Sequence, residues 1–305
     1  MGLSSLMQWC ANFGSSLPPI STAHAGRSAG LADDDPSIQV YRSLHYLLNV
    51  SGAKSQVPST IGQCIYSLVA TGDRRNYTKL SIAGLDLLHV LSNLIEGQSP
   101  ADNTSSSFYA NNWLPVIQNV ANASRSSPNP SVRQHALSML TDSFLDKQAG
   151  QFPVDILCEV LGKLCIPLAG ERVKELRGAL SDESEVDATM AEVELCVSLI
   201  FKPLRHHMKV VIKEDPSVFL ALWKPILNVT KEILDDASGS KKLTHDTREL
   251  TMEHLKNVIM VLGSFGVLND GSISVETWSL IEQMAYCKKY VTEWKDAAAQ
   301  SSSEQ

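Results

Sequence analysis

Apolar residues recur three and four positions apart through most of this chain, most clearly between positions 113 and 140. Leu114, Ile117, Val120 and Ala121 share one face of a helix. The cluster Ser126, Ser127, Pro128, Asn129, Pro130 follows, and no helix runs through it. From Ser131 a second stripe begins, with Val132, Ala136, Met139, Leu140 and Ser143 on one side. Two amphipathic helices joined by a short turn form an αα-hairpin, and neither can bury its stripe alone. Such hairpins must stack on others, so the pattern predicts an all-α fold, an α-solenoid of antiparallel helix pairs.

The hairpin has finer markings. A Leu-Pro entry (Leu114, Pro115), a turn, and then V-R-x-x-A-L from Val132 and Arg133 resembles the HEAT repeat. That resemblance implies a HEAT/armadillo-like array in which the arginine brackets the turn. The stretch WLPVIQNV, headed by Trp113, is echoed as WKPILNV, headed by Trp223, with Pro225 again two residues behind the tryptophan. Two copies do not establish a period, but they fit a repeated element whose first helix is bent by proline.

Helices are expected on either side of the hairpin. Asp35-Pro36 suits an N-cap and first turn for a helix over 37–50 with Val40, Leu44 and Leu47. Pro58 opens another through Ile61, Ile65, Leu68 and Val69 to Gly72, and a third over 77–95 has Gly97 placed to cap it. After the polar linker 98–112 and the hairpin, a helix runs from Phe152-Pro153 to Pro167. Residues 169–189, with Gly170, Gly178 and the acidic run SDESEVD, read as a flexible insertion. Helical pattern resumes over 190–212 and again after Asp215-Pro216, with a kink expected at Pro225. A helix over 247–268 closes at Gly266, and a last one over 274–299 carries Leu280, Met284, Cys287, Val291 and Trp294. The resulting organisation is a disordered lead-in 1–36, a helical-repeat domain 37–299 and a frayed tail 300–305. The lead-in reads equally as the broken end of a longer protein.

Composition narrows the function. Only 6% of residues are aromatic, and alternating β-branched runs are missing, which argues against a β fold. The net charge is −7 with no basic stripe evident, so nucleic acid is not an expected partner. The same charge argues against attraction to anionic lipid by charge alone. Six scattered cysteines lack a C-x-x-C pair; Cys158 and Cys165 share a helix face and read as buried core thiols in a reducing compartment. His206 and His207 are adjacent, point about 100° apart on a helix, and cannot bind one metal together in the i, i+4 manner. They read as exposed or capping. Asp235-Asp236 sits against a helix C-terminus, an unfavourable place for carboxylates and more typical of a frayed end. No phosphate loop, nucleophile elbow, zinc motif or dinucleotide fingerprint occurs, so no catalytic residue, cofactor, metal or small-molecule substrate is expected.

Four stretches in order, 111–140, 152–168, 218–234 and 249–268, resemble the C-terminal, post-catalytic part of the large Golgi-type exchange factors for Arf GTPases, the brefeldin-A-resistance-factor and GNOM class. The last is the most specific, through Glu253, Leu255, Lys256, Asn257, Val261, Leu262, Gly266 and Val267. The resemblance implies a non-catalytic scaffold for regulation and membrane recruitment in Golgi vesicle transport. It places the chain in the cytoplasm, peripheral at early secretory membranes and among protein partners of that pathway. In that class exchange belongs to an upstream Sec-seven domain, which these helices do not resemble. The alternative is a generic α-solenoid adaptor unrelated to Arf.

Overall fold

The computed structural model describes residues 35–51, 58–96, 106–145, 153–178, 183–214, 216–235, 243–269 and 271–303. Among these residues every regular element is helical. The chain divides into two compact units, residues 1–143 and 144–305, where the pattern suggested one span over 37–299. Residues 1–34, the expected cap at Gly97 and the loop 236–242 lie outside the described residues.

The first unit contains α1 (Pro36–Ser51), α2 (Pro58–Arg74), α3 (Thr78–Glu96), α4 (Leu114–Ser126) and α5 (Pro130–Leu145), whose last residues are counted with the second unit. Helix α1 starts where the Asp-Pro pair predicts. Ser37 N–H donates to Asp35 Oδ1 at 2.8 Å, and Arg75 from the α2–α3 turn donates to the same oxygen at 2.8 Å. That turn closes on Asn76, at φ 52°, with Tyr77 N–H donating to the Gly72 carbonyl at 2.7 Å and Asn76 N–H to that of Asp73 at 3.0 Å. Asparagine tolerates this left-handed position because its short polar side chain can bond locally. The core lies where α2 packs on α3 and α4, around Ile65, Leu85, Leu88, Leu91 and Val116.

The breaker between α4 and α5 proves to be a cap. Asn129 Oδ1 accepts from Ser131 N–H at 2.9 Å, and Pro130 occupies the first helical position, where its missing donor costs nothing. Arg133 Nη1 donates to the Ser127 carbonyl at 3.0 Å and so ties the second helix to the turn.

The second unit holds α6 (Val154–Val160), α7 (Ile166–Gly178), α8 (Glu183–Glu214), α9 (Pro216–Leu234), α10 (His245–Ser264), α11 (Ser272–Gln283) and α12 (Val291–Ser303). Helix α8 packs against α7, α9 and α10, and α10 against α12. The expected insertion over 169–189 is corrected. Residues 166–178 and 183–189 are helical, leaving only 179–182 outside the described residues. Leu168, Ala169, Val173 and Leu176 form a buried stripe that outweighs the helix-weakening Gly170. The described part of the acidic run, from Glu183, opens α8, where Glu183 and Glu185 complement the helix dipole.

The final helix is also corrected. It breaks at Met284, whose ψ of 108° is extended, and resumes through a 3₁₀ turn (Lys288–Tyr290) as α12, which continues to Ser303 rather than fraying at 300. Met284 and Cys287 are fully buried, so the break seats them in the core. Ala285 N–H donates to Asp235 Oδ1 at 2.6 Å, and Lys231 meets Asp235 Oδ2 at 3.2 Å. Asp235 is therefore engaged, and the expected frayed end is a tether.

Helix α10 ends as Gly266 predicts. Val267 N–H donates to the Leu262 carbonyl at 3.2 Å and Gly266 N–H to that of Gly263 at 2.8 Å, with Gly266 at φ 70°. One turn earlier, Gly263 meets α12 so closely that a Cβ there would lie 2.7 Å from Ala298 Cα.

Candidate functional site

The two Trp-x-Pro anchors share a chemistry that the sequence showed only in part. Trp113 and Trp223 are both 0% exposed. Trp113 Nε1 donates to Ser92 Oγ on α3 at 2.9 Å, and Trp223 Nε1 donates to Thr277 Oγ1 on α11 at 2.8 Å. A buried indole needs such a partner, since an unpaired donor carries its full desolvation cost. The hydroxyl partners were missed. The available signal was a lone hydroxyl inside an apolar register, Leu88-Ser92-Ile95 and Ile273-Thr277-Ile281.

The prolines differ. Pro115 is half-buried and follows the π-turn Tyr109–Trp113, in which Leu114 N–H reaches the Tyr109 carbonyl. The widened turn makes room where the ring would otherwise meet the carbonyl four residues back. Pro167 is prepared in the same way by the π-turn Leu161–Cys165, closed by Ile166 N–H on the Leu161 carbonyl. Pro225 is exposed, and α9 runs through it. Of the remaining anchors, Val132 and Leu255 are fully buried, while Arg133 and Asn257 are half-buried. Trp113, Val132 and Arg133 fall in the first unit, and Trp223, Leu255 and Asn257 in the second.

The described cysteines are buried, apart from the half-buried Cys158. Burial pushes the Cys158 thiol up to about 11 and those of Cys165 and Cys287 to about 12, and it raises Cys196 further. Such thiols are poor nucleophiles at neutral pH. His206 is exposed; His207 is 2% exposed and hydrogen-bonds the Phe144 carbonyl in the last turn of α5 at 3.1 Å, so of the expected roles, exposed or capping, exposure is corrected for His207. Arg172 of α7 pairs through Nε with the fully buried Glu192 of α8 at 3.2 Å and through Nη1 with Glu175. This network holds two helices together. Two hollows of about 210 and 280 Å³ share Asp73 and Pro128. Both are smaller than the ~300 Å³ at which small-molecule pockets begin. Among the described residues no group of three His, Cys, Asp or Glu is arranged for a metal ion, and no helix is long and apolar enough to cross a membrane.

The geometry is that of packed helix pairs fastened by buried anchors. Residues 113–286 match the family model described as the GBF1-like tetratricopeptide repeat region. The match begins on Trp113, includes both Trp-x-Pro anchors and covers more than half of the chain. Its description names a different type of stacked helix pair from the HEAT repeat that the first hairpin resembles, within the same repeat-like all-α class. No curated protein and no solved structure matches the chain.

Proposed function

Because this chain belongs to the family of the GBF1-like tetratricopeptide repeat region, we propose that it serves as a regulatory and membrane-recruitment scaffold of an Arf exchange factor in Golgi vesicle transport. The family match over 113–286 is the observation that carries this reading. Helix pairs with buried stripes and raised thiol pKa values suit a surface for assembly better than a reaction centre. Nucleotide exchange needs a group that displaces magnesium and phosphate, and no motif for it occurs among these helices. Recruitment would proceed on the cytoplasmic face of early secretory membranes through protein partners.

Two measurements test the proposal together. The purified 305-residue chain should leave the release of a fluorescent nucleotide from Arf at its spontaneous rate. The same chain, tagged in cells, should co-localise with early Golgi markers. Stimulated release would overturn the scaffold reading, and a uniform cytosolic signal would overturn the recruitment role.

A further inference from the structure

Net charge conceals a local feature of α8. Lys202, Arg205, His206, Lys209 and Lys213 fall at i, i+3, i+4, i+7 and i+11, and all five are exposed. Phe201, Leu204, His207, Met208 and Val211, on the opposite side, are buried. The basic positions form a straight ridge about 16 Å long, at 1.5 Å of rise per residue. No side-chain ion pair or hydrogen bond joins Lys202, Arg205, Lys209 or Lys213 to any described residue. Elsewhere Lys163, Lys224, Lys231, Lys256 and Lys295 each meet a carboxylate at 2.6–3.4 Å. Helix-dipole complementarity accounts for Lys213 in the last turn, but the effect fades within one turn and does not reach Lys202 or Arg205. Burial first, then the Lys202 charge and, more weakly, that of Arg205, push the His254 imidazole below its ordinary range against the opposing charge of Glu253.

We propose that this ridge is a docking surface for an acidic helical segment of a partner protein, with carboxylates repeating every three or four residues to meet the cations. Charge complementarity favours this occupant over an anionic membrane. The cations repeat at helical spacing in a single row, which carboxylates on one face of a second helix can match, whereas a membrane offers its charge without that register. Stable membrane attachment also takes a second, apolar signal. The large hydrophobics exposed among the described residues are Tyr46, Val90 and Val275, none of them on α8. The inference goes beyond the Golgi role, and its failure would leave the Arf release assay unaffected.

The test uses the full chain and a fluorescein-labelled synthetic helical peptide with glutamates at i, i+3, i+4 and i+7, beside its glutamine counterpart. Anisotropy should report binding of the glutamate peptide, with the glutamine peptide weaker by about tenfold or more and the complex weakened as salt rises. Lys202→Glu/Arg205→Glu/Lys209→Glu should lose about tenfold or more, while Lys224→Glu, off the ridge, should not. If the reversed-charge variant fails to fold, the Lys202→Gln/Arg205→Gln/Lys209→Gln variant answers the same question. Absent binding, equal binding of the two peptides, or full binding by either ridge variant would overturn the proposal. So would recovery of the chain on phosphatidylserine vesicles without binding of the glutamate peptide.

Discussion

Trp223 and Thr277 meet at 2.8 Å, indole N–H to hydroxyl oxygen, with neither side chain exposed to solvent. The bond pins α9 to α11 at one point and leaves the large ring no alternative donor geometry. Trp113 and Ser92 repeat the arrangement between different helices. The likeness between WLPVIQNV and WKPILNV is thus a likeness of fastening as well as of letters.

Removing either ring should be costly. Trp113→Ala and Trp223→Ala should each lose about 3–5 kcal/mol, as fully buried aromatic truncations do. Denaturant unfolding measures this, and a loss below about 1 kcal/mol would show that the ring is not a packing anchor.

The hydroxyl can be tested apart from the ring. Thr277→Val keeps shape and leaves the Trp223 indole donor buried without an acceptor, at a cost of about 1–3 kcal/mol. Combining it with Trp223→Phe, which removes that donor, should cost less than the sum of the single changes. Simple additivity in the double-mutant cycle would dismiss the bond as a contributor.

Helices α10 and α12 touch through a glycine. Gly263→Ala would place a methyl carbon 2.7 Å from Ala298 Cα, so the helices must part. Overpacking of this kind costs about 1–3 kcal/mol. Gly266→Ala, three residues on, creates no clash but strains a φ of 70°, at about 1 kcal/mol. A thermal scan showing Gly263→Ala at or above wild-type stability would contradict the close approach.

His254 should give the molecule a pH dependence just below neutrality. Burial lowers its folded pKa below the ordinary 6.5, aided by Lys202 and Arg205. Between those two values the unfolded chain binds the proton more readily. Stability is therefore full above 6.5 and falls as pH drops through that window. His254→Gln should flatten this segment of the profile, and an unchanged slope in the variant would assign the dependence to another group.

Much of this was legible in the sequence. The hairpin at 113–140, the burial of both tryptophans and the closure at Gly266 follow from periodicity, aromatic size and the left-handed cap. What escaped had contrary local signals. Gly170 and the acidic run suggested a loop over 169–189, but burial of Leu168, Val173 and Leu176 and the dipole at Glu183 and Glu185 favour helix. The break at Met284 is invisible because its apolar spacing continues across it. The ridge on α8 was hidden by averaging, since one exposed helix face can be strongly basic inside an acidic chain.

The π-turns before Pro115 and Pro167 bear on length variation. Each turn accommodates one surplus residue, and losing it would return the rod to ordinary α pitch. The proline two positions beyond would then press on the carbonyl four residues back. Deleting a residue elsewhere in the rod instead rotates everything downstream by about 100° and turns its apolar face away from the core. Insertion and proline therefore form one heritable unit: relatives one residue shorter at either turn should also carry a residue other than proline at the position that follows.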